Sequence, residues 1–488
     1  MQNDNNPDGA KSPWNIGALG APPYDPFSTP SDYKEDFRPQ FHFSPKNEWM
    51  NDINALIYHD GTYHMLYQWG RNARHGGYAT SQDLVHWDDR GVALVPQDTF
   101  LPKDAVRNAS GKEVYSGSGV FVEGEAAKKI TGSPEPALVA IYTGTKVGTC
   151  IAWSNDDGKT WNNYENNPVA NATEGVDPRD PCVIWYEREQ KWVMAIYENG
   201  TTFYGSRDLI QWERLSNIHF GFECPDLVEL PLDGDGDRMK WVLYDANGSY
   251  LVGNFDGTSF TDENKAEPLM MDCGPDFYAA QTFFPHNLPE KKYIQIAWND
   301  HWNGGVGEEK WERNATFPVE LGLVTRDSKM CVTRTPIDEI KKLYVGDPIR
   351  KSNIELGSEN ILTGVKSKAF DMTLVIDLNN AFASSIIFNV TNIEYVYELE
   401  SEILNYTALI RGENKEKSVP LKPNADGILK LRVLVDWSSI EIFSDDGVFS
   451  FSQQINFDPN GDNLSLTSLG GQVKLSFLEL QTLRSIWN

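Results

Sequence analysis

The sequence predicts an all-β protein, a five-bladed β-propeller followed by a C-terminal β-sandwich. Three patterns carry this expectation. Apolar and aromatic runs at 61–68, 137–142, 191–197, 240–244 and 292–298, each bounded by turn residues, read as buried strands. After four of them, at 79–87, 153–161, 205–212 and 253–260, comes a phrase made of a strand, an Asp-containing turn and an aromatic anchor. The anchors Trp87, Trp161, Trp212 and Phe260 lie 74, 51 and 48 residues apart. That spacing is too uneven for a solenoid and suits repeated four-stranded sheets with variable loops. Beyond about residue 345, runs at 370–378, 429–436 and 439–443 with Asp-Gly and Asn-Gly turns read as an antiparallel sandwich.

In chain order, residues 1–36 are rich in Asn, Pro, Gly, Ser and Asp and read as an extended N-terminal arm. Residues 37–333 carry the five propeller blades, 334–345 a linker with one helical turn, and 346–488 the sandwich. With 488 residues the chain exceeds what one hydrophobic core usually serves, consistent with two domains.

A formal charge of −27, from 70 acidic and 43 basic residues, argues against nucleic acid or anionic membranes as partners and favours a neutral ligand. Cys150, Cys182, Cys224, Cys273 and Cys331 show no CxxC pairing and no His at metal spacing, so no metal is expected. Eight Asn-x-Ser/Thr sequons, at Asn108, Asn171, Asn199, Asn247, Asn314, Asn389, Asn405 and Asn463, fit a glycosylated, secreted protein if the source is eukaryotic. No apolar run reaches transmembrane length, and the polar first residues suggest a mature form without its leader.

A funnel at a propeller axis is built from the innermost strand of every blade, so its reacting groups should recur far apart in sequence. Three acidic phrases meet that condition. In Asn51-Asp52 a carboxylate precedes a buried strand; alone, the pair reads as turn chemistry. In Arg179-Asp180-Pro181 the neighbouring guanidinium would hold Asp180 ionised, although alone the phrase reads better as a rigid salt-bridged loop. In Phe222-Glu223-Cys224 desolvation would raise Glu223 toward a general acid, the alternative being a solvated turn. Glycoside cleavage needs one protonated carboxyl and one ionised, a division that Glu223 and Asp52 fit.

The ordered set Trp49-Met50-Asn51-Asp52, Tyr115-Ser116-Gly117-Ser118, Arg179-Asp180-Pro181, Glu223-Cys224-Pro225 and Asp276-Phe277-Tyr278-Ala279 resembles glycoside hydrolase family 32, the invertases, inulinases and levanases. Asp436-Trp437-Ser438-Ser439 and Leu483-Arg484-Ser485-Ile486-Trp487 extend the resemblance to the C-terminus. It implies a retaining β-fructofuranosidase acting on sucrose and β-fructans without a cofactor. Asp52 would attack the fructosyl anomeric carbon, Glu223 would act as acid and base, and Asp180 would bind sugar hydroxyls and stabilise the transition state. Asn51, Trp49, Gln68, Trp69, Ser116, Arg179, Tyr278 and Trp302 would form the substrate pocket. A retaining pair places its carboxyls about 5 to 5.5 Å apart. A homodimer through the sandwich is a further expectation.

Departures concern the rim. Asp52-Ile53-Asn54-Ala55 replaces the family's Asp-Pro-Asn-Gly, Gln68-Trp69-Gly70-Arg71 its Gln-Tyr-Asn-Pro, and Gly76-Gly77-Tyr78 lacks a walling tryptophan, which Trp69 or Tyr78 would replace. The loop from Ala297 to Trp302 and on to Trp311 resembles microbial fructanases, favouring levan or inulin alongside sucrose. Fructosyl transfer through the same intermediate is the alternative activity, and an inactive fructan-binding protein the remaining one.

Overall fold

A computed structural model describes residues 31–71, 73–97, 107–171, 177–265, 268–284, 288, 292–299, 311–410, 413–455 and 464–487. Five blades of four antiparallel strands occupy the first two thirds of the chain. Blade 1 runs Glu48–His59, Thr62–Trp69, His75–Ser81 and Trp87–Leu94; blade 2 runs Val114–Val122, Ala137–Gly144, Gly148–Ser154 and Asn162–Asn163. Blade 3 comprises Arg179–Tyr186, Lys191–Tyr197, Thr201–Ser206 and Glu213–Ile218, and blade 4 Asp226–Leu232, Asp235–Tyr244, Ser249–Phe255 and Phe260–Asp262. Phe277–Thr282, Ile294–Asn299, Val319–Arg326 and Lys329–Pro336 make blade 5. Each predicted apolar run is the second strand of its blade, flanked on both sides and therefore buried.

The Asp turns join third strands to fourth strands. Asp83 Oδ1 accepts the amides of Val85 (3.1 Å) and His86 (2.8 Å), and Asp208 Oδ1 those of Ile210 (3.0 Å) and Gln211 (2.9 Å). Trp87 and Trp212 then return their indole N–H to Leu84 and Leu209, both at 2.9 Å, which closes each turn against its blade.

Two features depart from five separate sheets. Blades 4 and 5 share a parallel bridge at Leu232 and Leu323, so they form one ten-stranded sheet. The ring is closed by a short strand, Trp311–Glu312, which lies parallel to the start of blade 1 with Glu48 opposite Trp311 and Trp49 opposite Glu312. A helix at Gly124–Thr131, burying Ala127 and Ile130, was not among the expected elements.

The last propeller strand runs to Pro336, and the expected helical turn is a 3-10 helix, Asp338–Leu343, that leads directly into Tyr344–Leu356. The sandwich packs a six-stranded sheet against a five-stranded one, around Phe370, Met372, Val435, Ile440 and Phe451. Propeller and sandwich are clamped by buried charge. His42 sits between Asp436 (2.8 Å) and Glu441 (3.0 Å), and Asp436 also accepts the amides of Gln40, Phe41 and His42. Of the N-terminal arm, the described end is held down: Tyr33 stacks on Trp487 with centroids 3.9 Å apart. All five cysteines are free thiols. The sequon at Asn314 is fully buried, out of reach of a glycan, and Asn463 lies outside the described residues.

Candidate active site

The innermost strands pack side by side around the axis, and those of blades 1, 2, 3 and 5 are irregular near the funnel. Bulges fall between Met50 and Ile53 and again between Asn54 and Ile57 in blade 1, and between Tyr115 and Gly117 in blade 2. Blade 3 has one between Arg179 and Cys182, and blade 5 one between Tyr278 and Gln281. Ala55, Asp180, Glu223, Cys224 and Ala279 adopt left-handed backbone with φ of 44°, 62°, 57°, 38° and 47°. Such conformations are uncommon for residues with side chains, and bulges re-aim the chain. Here they turn Asp52, Asp180, Glu223 and Tyr278 to one place.

Asp52 is almost fully buried, 7% exposed. Its Oδ2 accepts from the Ser116 hydroxyl, from Gln68 Nε2 at 3.2 Å and from the Cys224 thiol at 3.6 Å, and its Oδ1 from Asn51 Nδ2 at 2.8 Å. Burial pushes its carboxyl up to about 6; the Ser116 bond opposes that shift, the Glu223 charge adds to it, and Arg74 opposes it. Ser116 keeps its place because its neighbour is glycine: a Cβ on Gly117 would lie 1.9 Å from the Ile141 carbonyl oxygen.

Asp180, 5% exposed, accepts the Cys224 amide at 3.2 Å, while its own amide bonds Thr143 Oγ1 at 2.8 Å. Cys224 therefore bridges two of the carboxyls, by its thiol and its backbone, and follows the third directly in sequence. Burial first, and then the charges of Glu223 and Asp52, push the Asp180 carboxyl up to about 8; Arg179, whose nearest guanidinium nitrogen is 3.9 Å away, draws it down as expected but is outweighed.

Arg179 serves Glu223 more closely. Its Nε and Nη2 donate to Glu223 Oε1 at 3.0 and 2.9 Å, and the Tyr278 hydroxyl donates to Oε2 at 2.6 Å. The Glu223 side chain is 27% exposed, so the desolvation expected for it is partial. The exposed ring of Phe222 stands beside it, edge-on to Tyr197, with the Arg179 guanidinium 4.5 Å from the Tyr197 centroid.

Of the expected binding residues, Asn51, Gln68 and Ser116 surround Asp52, and Arg179 and Tyr278 surround Glu223. Trp49 is half-buried between the guanidinium groups of Arg74 (5.5 Å) and Arg313 (5.2 Å). Trp69 does not reach the funnel. Its ring lies in the core, with the indole N–H on the Asn47 carbonyl at 2.9 Å. Gln68 points inward, so the next residue of the strand must point away. Tyr78 is likewise buried, its hydroxyl 2.6 Å from His64 Nδ1, and cannot wall the pocket. Trp302 lies outside the described residues. Arg74 and Arg313 are contacts that the sequence pattern did not single out, and Cys224, part of the Glu223 motif, was not expected to touch Asp52 and Asp180. Among the described residues no cluster of His, Cys, Asp or Glu has the arrangement of a metal site.

Several carboxyls at the axis of a propeller, one buried among hydrogen-bond donors and one partly exposed and gripped by arginine, are the kind of groups that glycoside cleavage draws on. Comparison with known proteins agrees. The profile for the glycosyl hydrolases family 32 N-terminal domain matches residues 42–334, and that for the family 32 C-terminal domain residues 339–483. A levanase of Bacillus subtilis is 33% identical over 501 residues, spanning 93% of this chain and 72% of its own. The extracellular exo-inulinase inuE of Aspergillus niger is 29% identical, over 93% of this chain and 96% of its own. The crystal structure of exo-inulinase from Aspergillus awamori superposes with a TM-score of 0.83 at 27% identity, covering 93% of this chain and all 100% of the other. β-Fructofuranosidase from Schwanniomyces occidentalis, at 23% identity, TM-score 0.79 and coverage of 93% and 99%, shares the fold. The chain belongs to glycosyl hydrolase family 32.

Proposed function

We propose that this protein removes terminal β-D-fructofuranosyl residues from sucrose and from β-fructans of the levan or inulin type by a retaining double displacement. The observation that carries the mechanism is the environment of Asp52: a buried carboxylate with four donors on its two oxygens, beside a second, more accessible carboxyl. The substrate class is supported by relatives named levanase and extracellular exo-inulinase. The same relatives support secretion, and no helix among the described residues is long and apolar enough to cross a membrane.

In the first step an Asp52 oxygen bonds to the anomeric carbon as the bond to the leaving oxygen breaks, and that oxygen takes the Glu223 proton. In the second, water attacks the same carbon, gives its proton to Glu223 and releases Asp52. Asp180 and Asn51 bind the fructosyl hydroxyls. A sugar hydroxyl in place of water would give transfer, the alternative outcome of the same intermediate.

Fructose release from sucrose, inulin and levan by the wild type and by Asp52→Ala tests the proposal. Release by the wild type with loss of about 10³-fold or more in the variant is expected for a missing nucleophile. Equal background rates in both would reject an enzyme. Trisaccharides accumulating from concentrated sucrose would assign transfer.

A further inference from the structure

Arg313 occupies an improbable position for its side chain. It follows the ring-closing strand Trp311–Glu312, has a left-handed backbone with φ of 75°, and is 6% exposed. The parallel register, with Trp49 opposite Glu312, brings it level with the residues that follow Trp49. Its guanidinium lies 5.2 Å from the Trp49 ring centroid and 4.7 Å from that of Trp298, and Nη1 donates to Asn51 Oδ1 at 3.0 Å. Glu312 Oε1 lies 3.6 Å from its Nε, and Glu312 Oε2 is in turn paired with Arg71 at 3.0 Å.

The consequence concerns the Asn51 amide. A carboxamide has one acceptor end and one donor end, and the two can exchange by a flip. Arginine only donates, so Oδ1 of Asn51 must face Arg313. Nδ2 is then directed to Asp52 Oδ1 at 2.8 Å, with Gln68 Oε1 also in reach at 3.4 Å. Flipped, Asn51 would set its oxygen against a carboxylate oxygen.

We propose that Arg313 is a positioning residue for the nucleophile: through Asn51 it locks an N–H donor onto Asp52. The Trp49 and Trp298 rings hold the guanidinium in this place, and the ring-closing strand delivers it. This rests on the assignment of Asp52 as the nucleophile of a fructoside hydrolase. The lock acts on the nucleophile and not on the leaving group, so its loss should be felt equally for sucrose and for longer fructans.

A double-mutant cycle on the full chain tests it, with sucrose hydrolysis followed across pH. Arg313→Met should lower kcat/KM about tenfold, the worth of one hydrogen bond to a charged group. It should also move the acid limb of the profile to higher pH, because the ionised form of Asp52 loses a donor while Glu223, Asp180, Cys224 and Arg74 still face it. Arg313→Lys, which can still donate to Asn51, should recover part of the loss. In the Asn51→Ala background Arg313→Met should cost little more. An equal cost in both backgrounds, or a loss with an unmoved acid limb, would overturn the lock. A wild type that releases no fructose would instead remove the underlying functional reading. If Arg313→Met fails to fold, Arg313→Lys and Arg313→Gln carry the same cycle.

Discussion

Arg179 grips Glu223 and not Asp180, its neighbour in sequence: two guanidinium nitrogens lie 2.9 and 3.0 Å from Glu223 Oε1, against 3.9 Å to the nearest Asp180 oxygen. The left-handed φ of 62° at Asp180 separates the two side chains. A lysine cannot reproduce a paired contact from a planar fork. Arg179→Lys should therefore fold normally yet lose about 10- to 100-fold in kcat, for a positioning hydrogen bond to the acid and base. With Glu223 as the proposed acid and base, steady-state kinetics with thermal unfolding as control check this; an unchanged kcat would show that the grip has no role in turnover.

As the proposed nucleophile Asp52 must be ionised to attack, and burial raises it to about 6. Since protonation removes the nucleophile, kcat/KM should fall as pH drops through about 6. The Ser116 hydroxyl favours the ionised form, so Ser116→Ala should move that limb to higher pH and leave rates well above it less affected. The pH profiles of both proteins on sucrose give the comparison, and coincident acid limbs would contradict it.

Gly117 meets backbone on the side where a Cβ would stand, with Ile141 O at 1.9 Å and Tyr142 Cα at 2.6 Å. Neither atom can swing aside. Gly117→Ala should part the first two strands of blade 2, costing about 1–3 kcal/mol in urea unfolding, and should displace Ser116 from Asp52. Reduced activity at temperatures where the variant remains folded is the expected companion result.

The His42 ring, between Asp436 and Glu441, has its pKa raised from 6.5 to about 9: burial works against the charge, but the two carboxylates outweigh it. A raised value means that the folded state favours protonation. This contribution to stability is complete below about 6.5 and is lost as pH rises through about 9. His42→Gln should thus cost about 3 kcal/mol at pH 6, the cost of leaving buried carboxylates unpaired, and less at pH 10. Urea midpoints at the two pH values decide it, and a gap that widens at pH 10 would contradict the assignment.

What the sequence made legible was local. The five apolar runs and the Asp83 and Asp208 turns announce themselves because strand burial and turn capping depend on neighbours in the chain. Asp52, Asp180 and Glu223 stand out because their motifs follow the order of family 32 and because an axial site must draw on several blades. The partners of those carboxyls were not legible. Arg179 lies next to Asp180 in the chain but puts its hydrogen bonds on Glu223, a choice made by a bulge and not by adjacency. Trp69 was misassigned because its neighbour Gln68 faces the site and strand alternation sends it into the core. Arg313 meets Asn51 only through the parallel ring closure, 262 positions away in sequence.

The proposed double displacement requires Asp52 to form a covalent fructosyl bond. Its most direct test is the anomeric form of the first fructose released, followed by proton NMR on a timescale shorter than mutarotation. Two displacements at one carbon restore its configuration, so β-fructofuranose should appear first. Initial release of the α-anomer would mean a single displacement by water and would contradict a nucleophilic Asp52.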